Sequence, residues 1–217
     1  MRLLFINPNA TQSMTDKIVK AARRALPPGV TVTGVTNDSG PPAIQGAADG
    51  ALATPGVLAL VASAQADAIV IACFDDTALA DARALTHVPV IGIGEAAFHA
   101  AMLLGARYSV VTTLSVSVPV IEANLAAYGI AASCLRVRAS EVAVLDLEQP
   151  GSAAEARISD EIALALTEEG AKAIVLGCAG MADLAGRLAV RHGVPVIDGV
   201  AAAAGMAWLM AGLLRAA

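Results

Sequence analysis

The feature that most restricts how this chain can fold is that its sequence is written twice. Ala68-Ile69-Val70-Ile71-Ala72-Cys73 aligns with Ala173-Ile174-Val175-Leu176-Gly177-Cys178 at an offset of 105 residues. At the same offset Leu79-Ala80 meets Leu184-Ala185, and His87 meets His192. After a one-residue insertion, Val88-Pro89-Val90-Ile91 meets Val194-Pro195-Val196-Ile197, and residues 2–6 fall on 107–111. Self-similarity on this scale implies two halves of like fold, not the short period of a solenoid. The halves run over residues 1–97 and 98–199, leaving a C-terminal helix over about 200–217 to be placed.

Each half alternates short apolar runs with longer amphipathic segments. Residues 3–6, 30–35, 68–72 and 88–93 read as buried strands, and 11–26, 54–64 and 76–85 as helices opening near a capping Thr or Asp. The second half repeats the strands near 109–112, 132–137, 173–177 and 195–197. Residues 37–46, rich in Gly and Pro, read as a loop. Strand–helix alternation predicts an α/β fold: two pseudo-symmetric open-sheet domains, parallel central strands and helices on both faces.

Composition narrows the class. Hydrophobic residues make up 57% of the 217, but much of that is alanine, which packs closely in helices. The uncharged stretch 199–214 is short of the roughly 20 predominantly apolar residues that span a bilayer, so a buried terminal helix is expected and no membrane partner. A net charge of -5 without Lys/Arg clusters argues against nucleic acid. The apolar run at the N-terminus is too short for a signal peptide, and three widely spaced cysteines do not form a disulfide framework, so a cytoplasmic protein is expected.

In open parallel sheets, ligands bind beyond the carboxyl ends of the strands. Cys73 and Cys178 each follow such a strand and precede a helical segment, a position expected to expose a thiol partly and lower its pKa. A lone cysteine there is commonly a small core residue, but duplication changes the inference. If the halves face each other about a pseudo-twofold axis, the same element delivers a thiol to each side of one interdomain cleft. Opposed thiols suit stereoinversion: one thiolate removes a proton from a carbon beside a carbonyl, and the other thiol returns one to the opposite face. Cys134, without a repeat counterpart, reads as structural.

Other polar residues at strand ends extend the candidate site. Asn7 and its repeat equivalent Thr112, with Thr113, offer amide and hydroxyl groups to a substrate or cap the following helices. Asp75 caps a helix or faces the cleft. The small residues Gly177, Ala179 and Gly180 let backbone N–H groups approach a developing oxyanion. Gly92-Ile93-Gly94-Glu95-Ala96-Ala97 matches a dinucleotide fingerprint, but it follows the fourth strand and lacks the acidic residue about 20 positions on. No metal-ligand spacing links the histidines to the cysteines, and Lys17, Lys20 and Lys172 avoid the strand ends where a pyridoxal Schiff base would sit. No metal and no cofactor are therefore expected.

Ile6-Asn7-Pro8-Asn9, Ala72-Cys73-Phe74-Asp75-Asp76, Val111-Thr112-Thr113-Leu114-Ser115, Gly177-Cys178-Ala179-Gly180-Met181 and Val194-Pro195-Val196-Ile197-Asp198-Gly199-Val200 together resemble the aspartate/glutamate racemase superfamily. Within it the chain is similar, end to end, to the hydantoin racemases, with allantoin racemases close. The resemblance implies cofactor-independent inversion at C5 of 5-monosubstituted hydantoins, with Cys73 and Cys178 as the two bases. It also implies that the C-terminal helix returns to the first domain, and that Phe74 contacts the substrate ring. Allantoin or an aspartate/glutamate-type amino acid is the alternative substrate, although no Arg or Lys at the strand ends offers to clamp an amino-acid carboxylate. A non-catalytic small-molecule binding protein is the alternative of another class. A homo-oligomer fits the family, while the sequence carries no interface signature. Gln45 stands where the family often has an acid, and Ala47 and Ala48 where it has aromatic residues, leaving the substrate's substituent open.

Overall fold

The computed structural model describes residues 1–149 and 153–215. The first half runs β1 (Arg2–Asn7), α1 (Gln12–Arg24), β2 (Thr31–Thr36), α2 (Ala47–Ala62), β3 (Ala68–Ile71), α3 (Leu79–Leu85), β4 (Val90–Gly92) and α4 (Ile93–Leu103). The second runs β5 (Tyr108–Thr112), α5 (Val118–Ala127), β6 (Cys134–Ala139), α6 (Ala154–Glu168), β7 (Ala173–Gly177), α7 (Ala185–His192), β8 (Val196–Asp198) and α8 (Gly199–Arg215). Two parallel four-stranded sheets result, ordered β2-β1-β3-β4 and β6-β5-β7-β8. Cys73 and Cys178 thus follow the strand on the same side of the same switch in strand order, where open sheets bind ligands.

The strands are apolar on both faces because both faces are covered. Along β3, Ala68 and Val70 face one core while Ile69 and Ile71 face another; β7 repeats this with Ala173 and Val175 against Ile174 and Leu176. The inner faces of both sheets share one core with α1, α4, α5 and α8, whereas α2 and α3 cover the outer face of the first sheet and α6 and α7 that of the second. At the centre α4 packs along α8 through Ala96, Ala97, Ala101, Ala203, Ala204, Ala207 and Ala211, all buried. Small side chains let the two helices approach closely there. Although α8 is the repeat counterpart of α4, it lies mainly on β3, α1 and α4, while α4 reaches β7 and β8. The division read from the repeat at residue 97 falls inside α4. Among the described residues, no helix is long and apolar enough to cross a membrane.

Several local expectations are corrected. Helix α2 begins at Ala47, not near 54, and runs through Pro55; the Thr54 hydroxyl donates to the Gly50 carbonyl in that stretch. The fourth strand ends at Gly92, and Ile93 already belongs to α4. Helix α3 starts at Leu79 because Asp76 and Ala78 adopt left-handed backbone angles, φ 49° and 61°. Such angles cost a non-glycine residue roughly 1–2 kcal/mol each. Thr11 does not cap α1; its hydroxyl donates to the Pro42 carbonyl.

Candidate active site

Cys73 and Cys178 line one cavity of about 20 Å³, formed from both halves. Around them stand Asn9, Met14, Ile44, Ala72, Phe74 and Asp75 from the first half, and Thr113, Ser117, Val144, Gly177 and Ala179 from the second. This volume holds about one water molecule. A ring-sized ligand therefore enters only when the walls part. The segment Val144–Glu148 is tied across the cleft: the Val144 N–H donates to Gln45 Oε1, and Lys17 Nζ lies 2.6 Å from a Glu148 carboxylate oxygen.

Of the residues singled out in the sequence, Cys73, Phe74, Asp75, Thr113, Gly177, Cys178 and Ala179 are brought together here. Asn7, Thr112 and Gly180 are not among the lining residues. The Asn7 amide is used up inside its own loop, donating toward Asn9 Oδ1 and Thr15 Oγ1 and accepting from the Asn9 N–H. Thr112 Oγ1 donates to the Gly177 carbonyl at 2.9 Å, bracing β5 against β7 beneath the second cysteine. Gly177 is needed there, since a Cβ would come within 2.7 Å of Thr112 Cβ. Gly180 lies just behind, its carbonyl accepting from Lys17 at 3.5 Å. The Phe74 ring packs edge-on against Phe98 at 5.3 Å, in the inner core. The lining residues missed from sequence are Asn9, Met14, Ile44, Ala72, Ser117 and Val144. Asn9 shares the turn of Asn7, Ser117 the loop of Thr113, and Ala72 adjoins Cys73, so these three had a signal; Met14, Ile44 and Val144 had none.

Both thiols are held in their neutral form, contrary to the expected lowering. Burial pushes Cys73 well above its usual value, the nearby Asp75 charge adds to this, and the Thr77 hydroxyl and Asp75 N–H favour the thiolate. Burial likewise raises Cys178, to about 11; the Gly180 N–H opposes the rise, Asp75 adds to it and Lys17 lowers it. The physical reason is that neither cysteine opens a regular helix. A left-handed turn follows Cys73, and a single 3-10 turn, Ala179–Met181, follows Cys178. Desolvation then outweighs the weak terminal dipole. Cys134 lies in β6, its thiol donating toward the Arg136 carbonyl.

The carboxyls beside Cys73 have separate tasks. Asp76 accepts from the Gly94 and Glu95 N–H groups at 2.9 and 2.7 Å, capping α4, and from the Tyr128 hydroxyl at 2.8 Å. The glycine-rich segment that mimics a dinucleotide motif thus has its helix start already occupied, and Gly92 must lack a Cβ because one would collide with the Asp76 carboxylate. Asp75 instead lines the cavity with Oδ2 buried and unpartnered. Burial raises its pKa to about 7, a Gly46 N–H opposes the rise and Asp49 adds to it.

The described chain matches the family model "Asp/Glu/Hydantoin racemase" over residues 3–207. It is 45% identical to a hydantoin racemase of Rhizobium meliloti, covering 98% of this chain and 89% of that protein. It is 39% identical to a hydantoin racemase of Pseudomonas sp. (strain NS671), covering 93% and 82%. The solved allantoin racemase from Klebsiella pneumoniae superimposes with a TM-score of 0.95 at 40% identity, covering 98% of this chain and 88% of that one.

Proposed function

Because this chain belongs to the Asp/Glu/hydantoin racemase family, we propose that it inverts the C5 stereocentre of 5-monosubstituted hydantoins, with Cys73 and Cys178 as opposed acid and base. The observation that carries this reading is that two repeat-related cysteines, one from each half, line a single cavity. One cysteine, as thiolate, takes the C5 proton, which the neighbouring ring carbonyl acidifies. The opposite thiol then gives its proton to the other face, and the two exchange roles in the reverse direction. The proton is conserved overall, so the thiols themselves balance the reaction. With pKa values this far raised, the thiolate is a minor, reactive species at neutral pH, and its titration belongs to the coupled pair. With the ring seated between the two halves, the walls around Cys73 and Cys178 limit the water that competes for the carbanion. Around the ring, Thr113, Ser117 and Asn9 offer hydroxyl and amide groups, while Ile44, Met14 and Val144 supply apolar walls.

Allantoin is the second substrate, favoured by the close superposition on an allantoin racemase; it shares the hydantoin ring and differs at the C5 substituent. No Lys, Arg or His lines the cavity among the described residues, which counts against amino acids whose carboxylate needs a cation. The enzyme in this reading is cytoplasmic. The test incubates enantiopure 5-benzylhydantoin, allantoin and aspartate in heavy water, following optical rotation and deuterium uptake. Decay of rotation with one deuterium gained at the stereocentre is expected for a hydantoin. Binding without exchange at any of these carbons would overturn the reading in favour of a binding protein.

A further inference from the structure

The racemase reading leaves one buried group in the cavity without a task. Asp75 stands two residues after Cys73, lines the cavity with both cysteines, and holds a buried carboxylate oxygen, Oδ2, with no hydrogen-bond partner. Its backbone is fixed, because the Asp75 carbonyl accepts from Asn124 Nδ2 at 2.9 Å. A buried acceptor left unpaired is costly unless something else pairs with it. Its neighbour Asp76 shows the contrast, with both oxygens engaged in holding α4 and Tyr128.

We propose that Asp75 is a third catalytic residue, which takes up the proton given by the attacking cysteine and, as a neutral acid, donates a hydrogen bond to the enolate oxygen beside the stereocentre. This rests on the racemase reading and adds a role that the paired cysteines do not supply. The groups facing Asp75 define its charge balance. Cys73 lies on its own loop, Cys178 across the cavity, Asp49 on α2, and the Gly46 N–H at the start of α2. A thiolate and a carboxylate together would place two like charges in one dry space. The cleft therefore holds a single negative charge, resident on Asp75 at rest. When a thiol ionises, its S–H bond breaks and an O–H bond forms on Asp75, so the charge moves to sulfur. The thiolate then breaks the C–H bond, and the developing oxyanion meets an acidic O–H donor. After the second thiol has protonated the opposite face, its thiolate recovers the proton from Asp75. Nothing is consumed.

The sign of the pH dependence follows. Wild-type kcat/KM for a hydantoin rises as the cleft gains its first negative charge, near pH 7, where burial has moved Asp75. In Asp75→Asn the first charge must sit on a cysteine, so the rising limb moves to higher pH by more than about one unit. The same variant removes a negative neighbour from both thiols, so iodoacetamide alkylation of Cys73 and Cys178 shifts to lower pH. These opposite shifts are not the signature of a merely structural side chain. Asp75→Leu, which has no donor, loses about 100- to 1000-fold in kcat at its own optimum, the usual cost of one oxyanion donor. Asp75→Asn retains a donor and recovers most of that loss. An active wild type whose Asp75→Asn variant keeps its limb near pH 7, with unshifted alkylation, overturns this inference alone. A wild-type chain that exchanges no deuterium into any hydantoin or allantoin overturns the racemase reading and the inference with it.

Discussion

The two halves share a fold plan and differ in the polar groups laid over it. After β3, Cys73 is followed by a turn carrying Asp75, Asp76 and Thr77; after β7, Cys178 is followed by the small, uncharged Ala179 and Gly180. The Asp75 carboxylate raises both thiols, but the groups opposing the rise differ: the Thr77 hydroxyl and the Asp75 N–H at Cys73, the Gly180 N–H and Lys17 at Cys178. The same contrast recurs at the central helices. In the second half Asp198 caps α8 locally, accepting from the Val200 and Ala201 N–H groups at 2.9 and 3.2 Å. In the first half Gly92 occupies the matching position, and Asp76 reaches in from the cysteine loop to cap α4. Duplication supplied the backbone and the thiols, and divergence made the two faces of the cleft chemically unequal.

The largest effect that probes this comparison comes from removing either thiol. Cys73→Ala and Cys178→Ala should each lower racemisation about 100- to 10,000-fold, the range of a lost general acid–base group, measured by polarimetry. A variant with near wild-type turnover would reduce the pair to a single working base. Next in size are the two caps. Asp76→Ala removes a cap and strands the Tyr128 hydroxyl, and should destabilise by roughly 2–3 kcal/mol; Asp198→Ala loses only a local cap, at about 1 kcal/mol. Urea unfolding midpoints decide this, and equal losses would erase the asymmetry.

The pH dependence of stability follows from the same carboxyls. Asp75 and Asp76 are raised to about 7 and Asp198 to about 6, all chiefly by burial. Folding then favours their protonated forms, and the unfolded chain binds fewer protons between about pH 4 and 7. Stability should fall as pH rises through that window, by something on the order of 1 kcal/mol per unit for each of these groups. Asp76→Asn should flatten this slope more than Asp198→Asn. A slope that rises, or is indifferent to both changes, contradicts the assignment. Smallest of all is Lys17→Met, which breaks a partly exposed ion pair worth about 0–1 kcal/mol. It should move alkylation of Cys178 to higher pH and leave Cys73 in place.

The repeat made much of the fold legible, since alternating buried residues such as Ile69 and Val70 state both the strand and its two covered faces. It also marked Cys73 and Cys178 as equivalent. What it left unread depends on distance through space. Ile44 and Val144 carry no chemical signal, and they meet at the cavity from loops 100 residues apart that Gln45 ties together. The capping of α4 by Asp76 joins residues 18 apart, and the contact of α8 with β3 was implied by resemblance rather than by pattern. The direction of the thiol shifts was missed because it depends on how completely the cleft excludes water.

The most direct test of two opposed bases is stereospecific exchange by the single-cysteine variants. Each pure enantiomer of a 5-substituted hydantoin is incubated in heavy water with Cys73→Ala or Cys178→Ala, and exchange and rotation are followed by NMR and polarimetry. The remaining thiol should exchange only the enantiomer whose C5 hydrogen faces it, with retention of configuration. The two variants should therefore label opposite enantiomers. If both label the same enantiomer, or either racemises as fast as it exchanges, the cysteines do not act on opposite faces of one carbon.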